Sequence, residues 1–340
     1  MPLQRDRTKQ VALATRKLAE SLISDGKVVA DMSLLFAITS QLPLSNLEYW
    51  ERLIPSEFDS AWRSSSPPKW KIWSKPSNLL TWVDIVSYDG YRRERTLRAL
   101  NGGVPNSFFC ALAFRRLNDW VPQVRDAAQA KLQDIVCESD SVHVVDALCA
   151  TLPYWGSWKR MDESSKRALI NVISNKRIAE ALKAKIITAT SGPLTSIFSQ
   201  VGRTSALDEH IEEISVNAIQ PAVRAKAYRT LLEEKMIWSE GRKWEWTDIR
   251  YCEGRPTPIL SERKITPARS FLDTLRMASV DRSSIVRRVA AEMLIRKLDL
   301  LGREAHVLAE LLASDSSPSV SERGRFALRR LTDKNNEHAT

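Results

Sequence analysis

The sequence predicts an all-α chain, a right-handed array of stacked antiparallel helix pairs. Three observations carry this expectation. Apolar residues return at three- and four-residue steps through most of the 340 residues, whereas alternating strand-like runs are nearly absent. Glycine is scarce, at 11 residues, so the chain is short of the turns that sheet enzymes use to cradle phosphates. One helical pattern also repeats along the chain. The 43% apolar content supplies a large core and excludes a disordered tail, and four cysteines are too few for a disulfide framework.

Taken in order, the periodic segments are 8–23, 27–40, 106–117, 121–137, 163–174, 176–189, 206–217, 221–235, 268–279, 283–299, 302–314 and 318–331. Turn signals separate them: Asp25-Gly26, Asp89-Gly90, Asn101-Gly102-Gly103, Ser191-Gly192-Pro193 and Ser316-Ser317-Pro318. Two stretches break the period and are expected as long loops or insertions. Residues 55–78 hold Pro55, Pro67, Pro68 and Pro76 with Trp62, Trp70 and Trp73. Residues 236–267 hold Trp238, Trp244, Trp246, Tyr251, Pro256, Pro258 and Pro267. Each tryptophan brings ~150–250 Å² of mostly apolar surface, which argues against plain disorder.

The repeat reads Pro122-x-Val124-Arg125-x-x-Ala128-x-x-x-Leu132. It returns as Pro221-x-Val223-Arg224-x-x-Ala227-x-x-x-Leu231 and as Ser284-x-Val286-Arg287-x-x-Ala290-x-x-x-Leu294. A degenerate copy is Pro318-x-Val320-Ser321-x-x-Gly324-x-x-x-Leu328. Asp119, Asp281 and Asp315 lie five residues before their valines, and Ala218 stands there in the second copy. Proline costs nothing in a first helical turn, whose N–H groups have no partner inside the helix. Val, Ala and Leu at four-residue steps make one stripe, and the small central residue lets another helix approach closely. The aspartate can cap the helix, while the arginine beside the stripe can reach an acid on the next unit, forming a ladder of Asp119, Arg125, Arg224, Asp281 and Arg287. Val286 and Val320 are 34 residues apart, and Val124 and Val223 are 99 apart, close to three such periods. A helix pair of that size cannot bury its own apolar face, so its neighbours must cover it.

This pattern resembles the HEAT-repeat family of α-solenoids, with armadillo repeats the near relative. The resemblance covers 106–137, 204–235 and 268–331. It implies an elongated repeat array and says little about a ligand. The expected organisation is a helical cap over 1–104, repeats over 105–235, a Trp/Arg/Pro-rich insertion over 236–267, repeats over 268–332 and a flexible tail over 333–340.

No catalytic motif is found. GxGxxG, GxxxxGK[ST] and GxSxG are absent, and His143, His210, His306 and His338 are scattered. Cys110, Cys137, Cys149 and Cys252 lack CxxC spacing, and the apolar neighbours of Cys110, Cys137 and Cys149 fit buried thiols in a reducing cytoplasm. No metal, cofactor, small-molecule substrate or membrane span is expected. The bacterial alkylpurine DNA glycosylases are also HEAT-like, and Leu80-Thr81-Trp82-Val83-Asp84-Ile85-Val86 is similar to their Trp-rich segment. Their aspartate would fall at Val86, so only Asp84 is at hand for such chemistry.

The net charge is +10, and residues 222–297 hold 17 Lys and Arg against 10 Asp and Glu. Arg242, Lys243, Trp244, Trp246, Arg250 and Tyr251 interleave cations with rings. Such a surface suits three roles: packing, with Trp244 and Trp246 pinning the insertion to the repeats; a protein interface, where Arg and Trp act as anchors; or single-stranded nucleic acid, where rings stack and cations meet phosphates. Lys69-Trp70-Lys71-Ile72-Trp73-Ser74-Lys75 is a second such run. Arg92-Arg93-Glu94-Arg95 with Arg98 reads as a solvated helix face, and Tyr154 to Arg160 as an aromatic turn closing a corner of the core. The function read from these features is a non-catalytic scaffold holding another protein within a multi-subunit assembly. The alternative is a DNA- or RNA-binding solenoid.

Overall fold

The computed structural model describes residues 2–22, 30–65 and 80–337. It is helical throughout except for one antiparallel hairpin, and it divides into two compact units, 1–181 and 182–340. No helix among the described residues is long and apolar enough to cross a membrane.

The first unit holds α1 (Pro2–Ser21), α2 (Ser33–Thr39), α3 (Leu47–Ser65), α4 (Gly90–Ala99), α5 (Ser107–Arg115), α6 (Pro122–Glu138), α7 (Ser141–Thr151) and α8 (Glu163–Ser174). The chain passes into the second unit within α9 (Lys176–Thr188). Residues 55–65, expected as part of a loop, are the second half of α3. Leu47, Trp50, Ile54, Phe58 and Ala61 form a buried stripe at helical spacing, and this burial outweighs the backbone hydrogen bond lost at Pro55. Residues 66–79, with Trp70 and Trp73, lie outside the described residues, as do 23–29. Phe108 to Phe114 are buried on every side of α5, which packs against α3 and α7. On the other side, α6 packs against α4 and α8.

The second unit holds α10 (Leu194–Val201), α11 (Ile211–Asn217), α12 (Pro221–Glu233), β1 (Lys235–Asp248), β2 (Glu253–Lys264), α13 (Phe271–Ser279), α14 (Ser284–Arg296), α15 (Arg303–Ala313) and α16 (Pro318–Glu337). Here α14 lies between α12 and α16, and α13 packs on α15. The helix α16 runs on to Glu337, so the tail expected from residue 333 is helical up to that point.

All four repeat valines, Val124, Val223, Val286 and Val320, are fully buried, with Ala128, Ala227, Ala290, Leu132, Leu231 and Leu294 beside them. Gly324 takes the alanine position in the last copy for a steric reason. A Cβ there would overlap the Ala313 backbone nitrogen and sit 2.5 Å from the Leu312 carbonyl carbon, so α15 and α16 touch through backbone.

The hairpin replaces the loop expected over 236–267. Glu234 ends α12 in the left-handed region, and its carbonyl accepts the Ile265 N–H at 2.8 Å, closing the base. The strands pair from Lys235↔Lys264 to Asp248↔Glu253, with register shifts at Ser239/Gly241 and Trp246/Asp248.

Candidate functional site

The arginines of the repeat are built into the turns between helices. All three make a main-chain bond, and two of them also grip a carboxylate. Each Nη1 donates to the main-chain oxygen six residues earlier: Arg125 to Asp119 at 2.9 Å, Arg224 to Ala218 at 2.8 Å and Arg287 to Asp281 at 2.8 Å. In Arg224 and Arg287 the remaining fork of the guanidinium reaches the aspartate of the following turn. Arg224 meets both Asp281 oxygens at 3.0 and 2.9 Å, and Arg287 meets both Asp315 oxygens at 2.5 and 3.0 Å. Ala218 therefore keeps the carbonyl half of the motif and lacks the carboxylate half. Arg125 has no bidentate partner, but its charge helps hold the Asp162 carboxyl down at about 2, a shift caused first by the Ser165 N–H.

Arg93 belongs to the same series, although the sequence reading placed it on a solvated helix face. It is buried, donates to the Ser87 carbonyl at 2.8 Å and grips Asp119 at 3.0 and 2.7 Å. Burial alone would raise the Asp119 carboxyl, but the Arg93 hydrogen bond and the Arg116 charge hold it below the usual carboxylate range. The signal missed in the sequence is Ser87-Tyr88, standing where Asp119-Trp120 stands in the next turn. Arg92, at the valine position, hid the repeat.

Asp84 is buried, with both carboxylate oxygens hydrogen-bonded. Its Oδ2 accepts from the Thr81 backbone N–H at 2.6 Å and hydroxyl at 3.0 Å, capping a short 3-10 turn (Trp82–Val86). Its Oδ1 accepts from Arg92 Nε at 2.5 Å. Among the described residues no group of three His, Cys, Asp or Glu side chains is placed to hold a metal. In the aromatic turn, Trp155 and Trp158 are buried, Tyr154 is exposed, and Arg160 lies over the exposed Trp120 ring at 3.4 Å.

The hairpin has an anchored half and a free half. At its base, Arg263 binds Asp208 and the Gly202 and Thr204 carbonyls of the preceding turn. Trp238 Nε1 donates to Glu240 at 2.6 Å, and Arg203 bridges Glu240 at 2.8 Å and the Ser239 carbonyl at 3.1 Å. Beyond the first register shift both faces meet solvent. Arg242, Trp244 and Trp246 share one face with Pro258, Pro256 and Gly254 opposite them, while Lys243 and Glu245 point to the other. Trp244 and Trp246 meet edge to face at 5.7 Å and remain 54% and 52% exposed. Gly254 makes the arrangement possible, since a Cβ there would sit 2.5 Å from Trp244 Nε1. Arg250 and Tyr251 lie in the turn, both exposed, with Arg250 beside Asp248 at 3.4 Å. The structure thus brings together Arg242, Trp244 and Trp246, puts Lys243 across the sheet and leaves Arg250 and Tyr251 at the tip.

The local excess of positive charge is largely used inside the unit. Ten of the 17 cations in 222–297 form ion pairs with acids: Arg224, Arg229, Lys235, Arg250, Arg263, Arg269, Arg276, Arg287, Arg288 and Arg296. Lys226 is spent on the Ile237 carbonyl at 2.8 Å. Comparison with protein-family models and with curated proteins gave no match.

Proposed function

We propose that this protein is a non-catalytic, HEAT-like helical-repeat scaffold acting in the cytoplasm, and that the distal hairpin docks another protein within a multi-subunit assembly. The observation that carries the reading is the exposed Trp244–Trp246 pair, backed by Pro256 and Pro258 and flanked by Arg242. Aromatic and arginine anchors on a pre-ordered support lose little side-chain entropy on binding, which is the character of interface hot spots. The recurring arginine–aspartate turns support the repeat reading, because each ties a helix pair to the next. Charge favours a protein over nucleic acid, since the distal hairpin carries Glu245, Asp248 and Glu253 among its cations and much of the remaining basic charge is paired.

The test is capture with the full chain as bait, with nuclease and salt controls, beside a Trp244→Ala/Trp246→Ala variant of unchanged circular dichroism. The reading expects a defined protein retained by the wild type through nuclease treatment and lost with the variant. Retention of nucleic acid that falls steeply with salt and disappears with Arg242, Lys243 and Arg250 changed to Ala would replace it with the DNA- or RNA-binding alternative.

A further inference from the structure

The two prolines of β2 determine which hairpin edge can accept another strand. Pro256 faces Trp244 and Pro258 faces Arg242. Proline has no N–H, so neither pair can exchange ladder hydrogen bonds. The bonds must therefore run at Lys243–Thr257 and Glu245–Arg255. It follows that Arg242, Trp244 and Trp246 turn their N–H and C=O groups away from β2, along the outer edge of β1. On the outer edge of β2 the matching positions are Gly254, Pro256 and Pro258, two of which offer no donor. The edge of β2 is blocked and that of β1 is not.

Nearer the helices the outer edge of β1 is already occupied. Lys226 Nζ donates to the Ile237 carbonyl at 2.8 Å, and Gln200 Nε2 donates to the Ser239 carbonyl at 2.9 Å. The open run lies between the two register shifts and comprises Arg242, Lys243, Trp244, Glu245 and Trp246, all exposed.

These five residues are complementary to themselves in antiparallel register. A two-fold axis through Trp244 sets Trp244 against Trp244 and Arg242 against Trp246 of a second copy, and these are the pairs whose backbone groups point outward. Lys243 then faces Glu245 of the second copy twice, in the closely spaced pairs that exchange no backbone bonds. Sliding by two residues centres the contact on Lys243 against Lys243 or on Glu245 against Glu245, where like charges meet. Sliding by one turns the outward groups of one strand to the inward groups of the other. One register satisfies both backbone and charge.

We propose that β1 pairs with β1 of a second copy over Arg242–Trp246, forming a four-stranded sheet in the order β2-β1-β1-β2. Pro256 and Pro258 close both outer edges, so assembly stops at two. Cross-strand partners share a face, so the dimer joins both Trp244–Trp246 pairs into one aromatic surface. This pairing goes beyond the docking of another protein and does not depend on it. The contact is short, so the dimer is expected to form and dissociate with concentration.

Sedimentation of the purified full chain tests it without any other partner. The wild type is expected to show a concentration-dependent monomer–dimer equilibrium. Lys243→Glu sets acid against acid, and Glu245→Lys sets base against base. Each alone should weaken self-association by about tenfold or more. An equimolar mixture of the two restores opposite charges at both pairs and should recover dimers, as heterodimers. Trp244→Pro, which removes an outward N–H without touching the bonds to β2, should also abolish the dimer. A wild type that stays monomeric up to its solubility limit, variants that dimerise like the wild type, or a mixture that stays monomeric would each overturn the proposal.

Discussion

Removing Arg224 tests whether the arginine–aspartate turns hold the second unit together. Arg224 is 1% exposed and makes four hydrogen bonds, two to Asp281, one to Ala218 and one to Ile219. Arg224→Ala leaves the largely covered Asp281 carboxylate with only the Ser283 N–H at 2.7 Å, takes the guanidinium from the Ile219 carbonyl and leaves the Ala218 carbonyl with Arg282 at 3.5 Å. Removing one partner of a buried, fully bonded pair costs about 3–5 kcal/mol, because the surviving charge stays out of water. Asp281→Ala should cost a similar amount, by leaving the guanidinium unpaired. The losses are not independent, so the double variant should fall short of their sum by about 2 kcal/mol. Arg288→Ala is the control: its pair with Glu292 is 3.8 Å long and half exposed, and its loss should change stability by less than about 1 kcal/mol. Urea unfolding followed by circular dichroism, with the second unit's transition fitted separately, gives these differences. Coupling under about 0.5 kcal/mol, or equal effects for Arg224→Ala and Arg288→Ala, would refute the reasoning.

Other outcomes follow from the same geometry. Arg93→Ala should destabilise the first unit by about 3 kcal/mol, since it leaves the buried Asp119 carboxylate with only Arg116 and the Val121 N–H, whereas Arg95→Ala on the exposed side of α4 should leave its melting unchanged. Gly324→Ala should lower stability by about 1–3 kcal/mol in a thermal melt, reversing the gain usual for alanine in a helix, because the added Cβ meets backbone of α15. The Asp119 carboxyl is depressed by Arg93 and Arg116 against its burial, and the Asp315 carboxyl by its Arg287 hydrogen bond. A depressed folded-state value means a contribution that is complete above the unfolded value of about 4 and is lost as pH falls through the folded one. Asp315→Asn should therefore lower the urea midpoint at neutral pH and flatten its decline below about pH 4.

The helical part of the fold was legible because its signals are local and redundant. Val124, Val223, Val286 and Val320 each sit in a stripe with a small residue four positions on, and all four are buried. The part of α3 after Pro55 was misread because the proline is locally loud, whereas the Trp50–Ile54–Phe58 stripe is the stronger energetic term. The hairpin was missed for the opposite reason. Strand patterning is visible when one face is buried and the other wet, and beyond Gly241 both faces of this hairpin are wet. Its pairing is set by cross-strand bonds between residues that carry no hydrophobic alternation. The candidate residues on it were found through their chemistry, as rings among cations, but their division between two faces could not be read without the strand.

Three degenerate positions also separate what these turns share from what varies among them. Ala218 lacks a carboxylate, yet its carbonyl still receives Arg224. Ser87 likewise offers Arg93 only a carbonyl. The main-chain acceptor six residues before the arginine is thus common to every ladder turn, because any residue supplies it. The carboxylate is needed only where an arginine arrives from the preceding helix, as Arg93 does at Asp119, Arg224 at Asp281 and Arg287 at Asp315. Ser321 stands at the arginine position of the last copy and carries no guanidinium. The motif is therefore directional: at three turns the arginine of one helix grips the aspartate that precedes the next, while Arg125 makes only the main-chain bond.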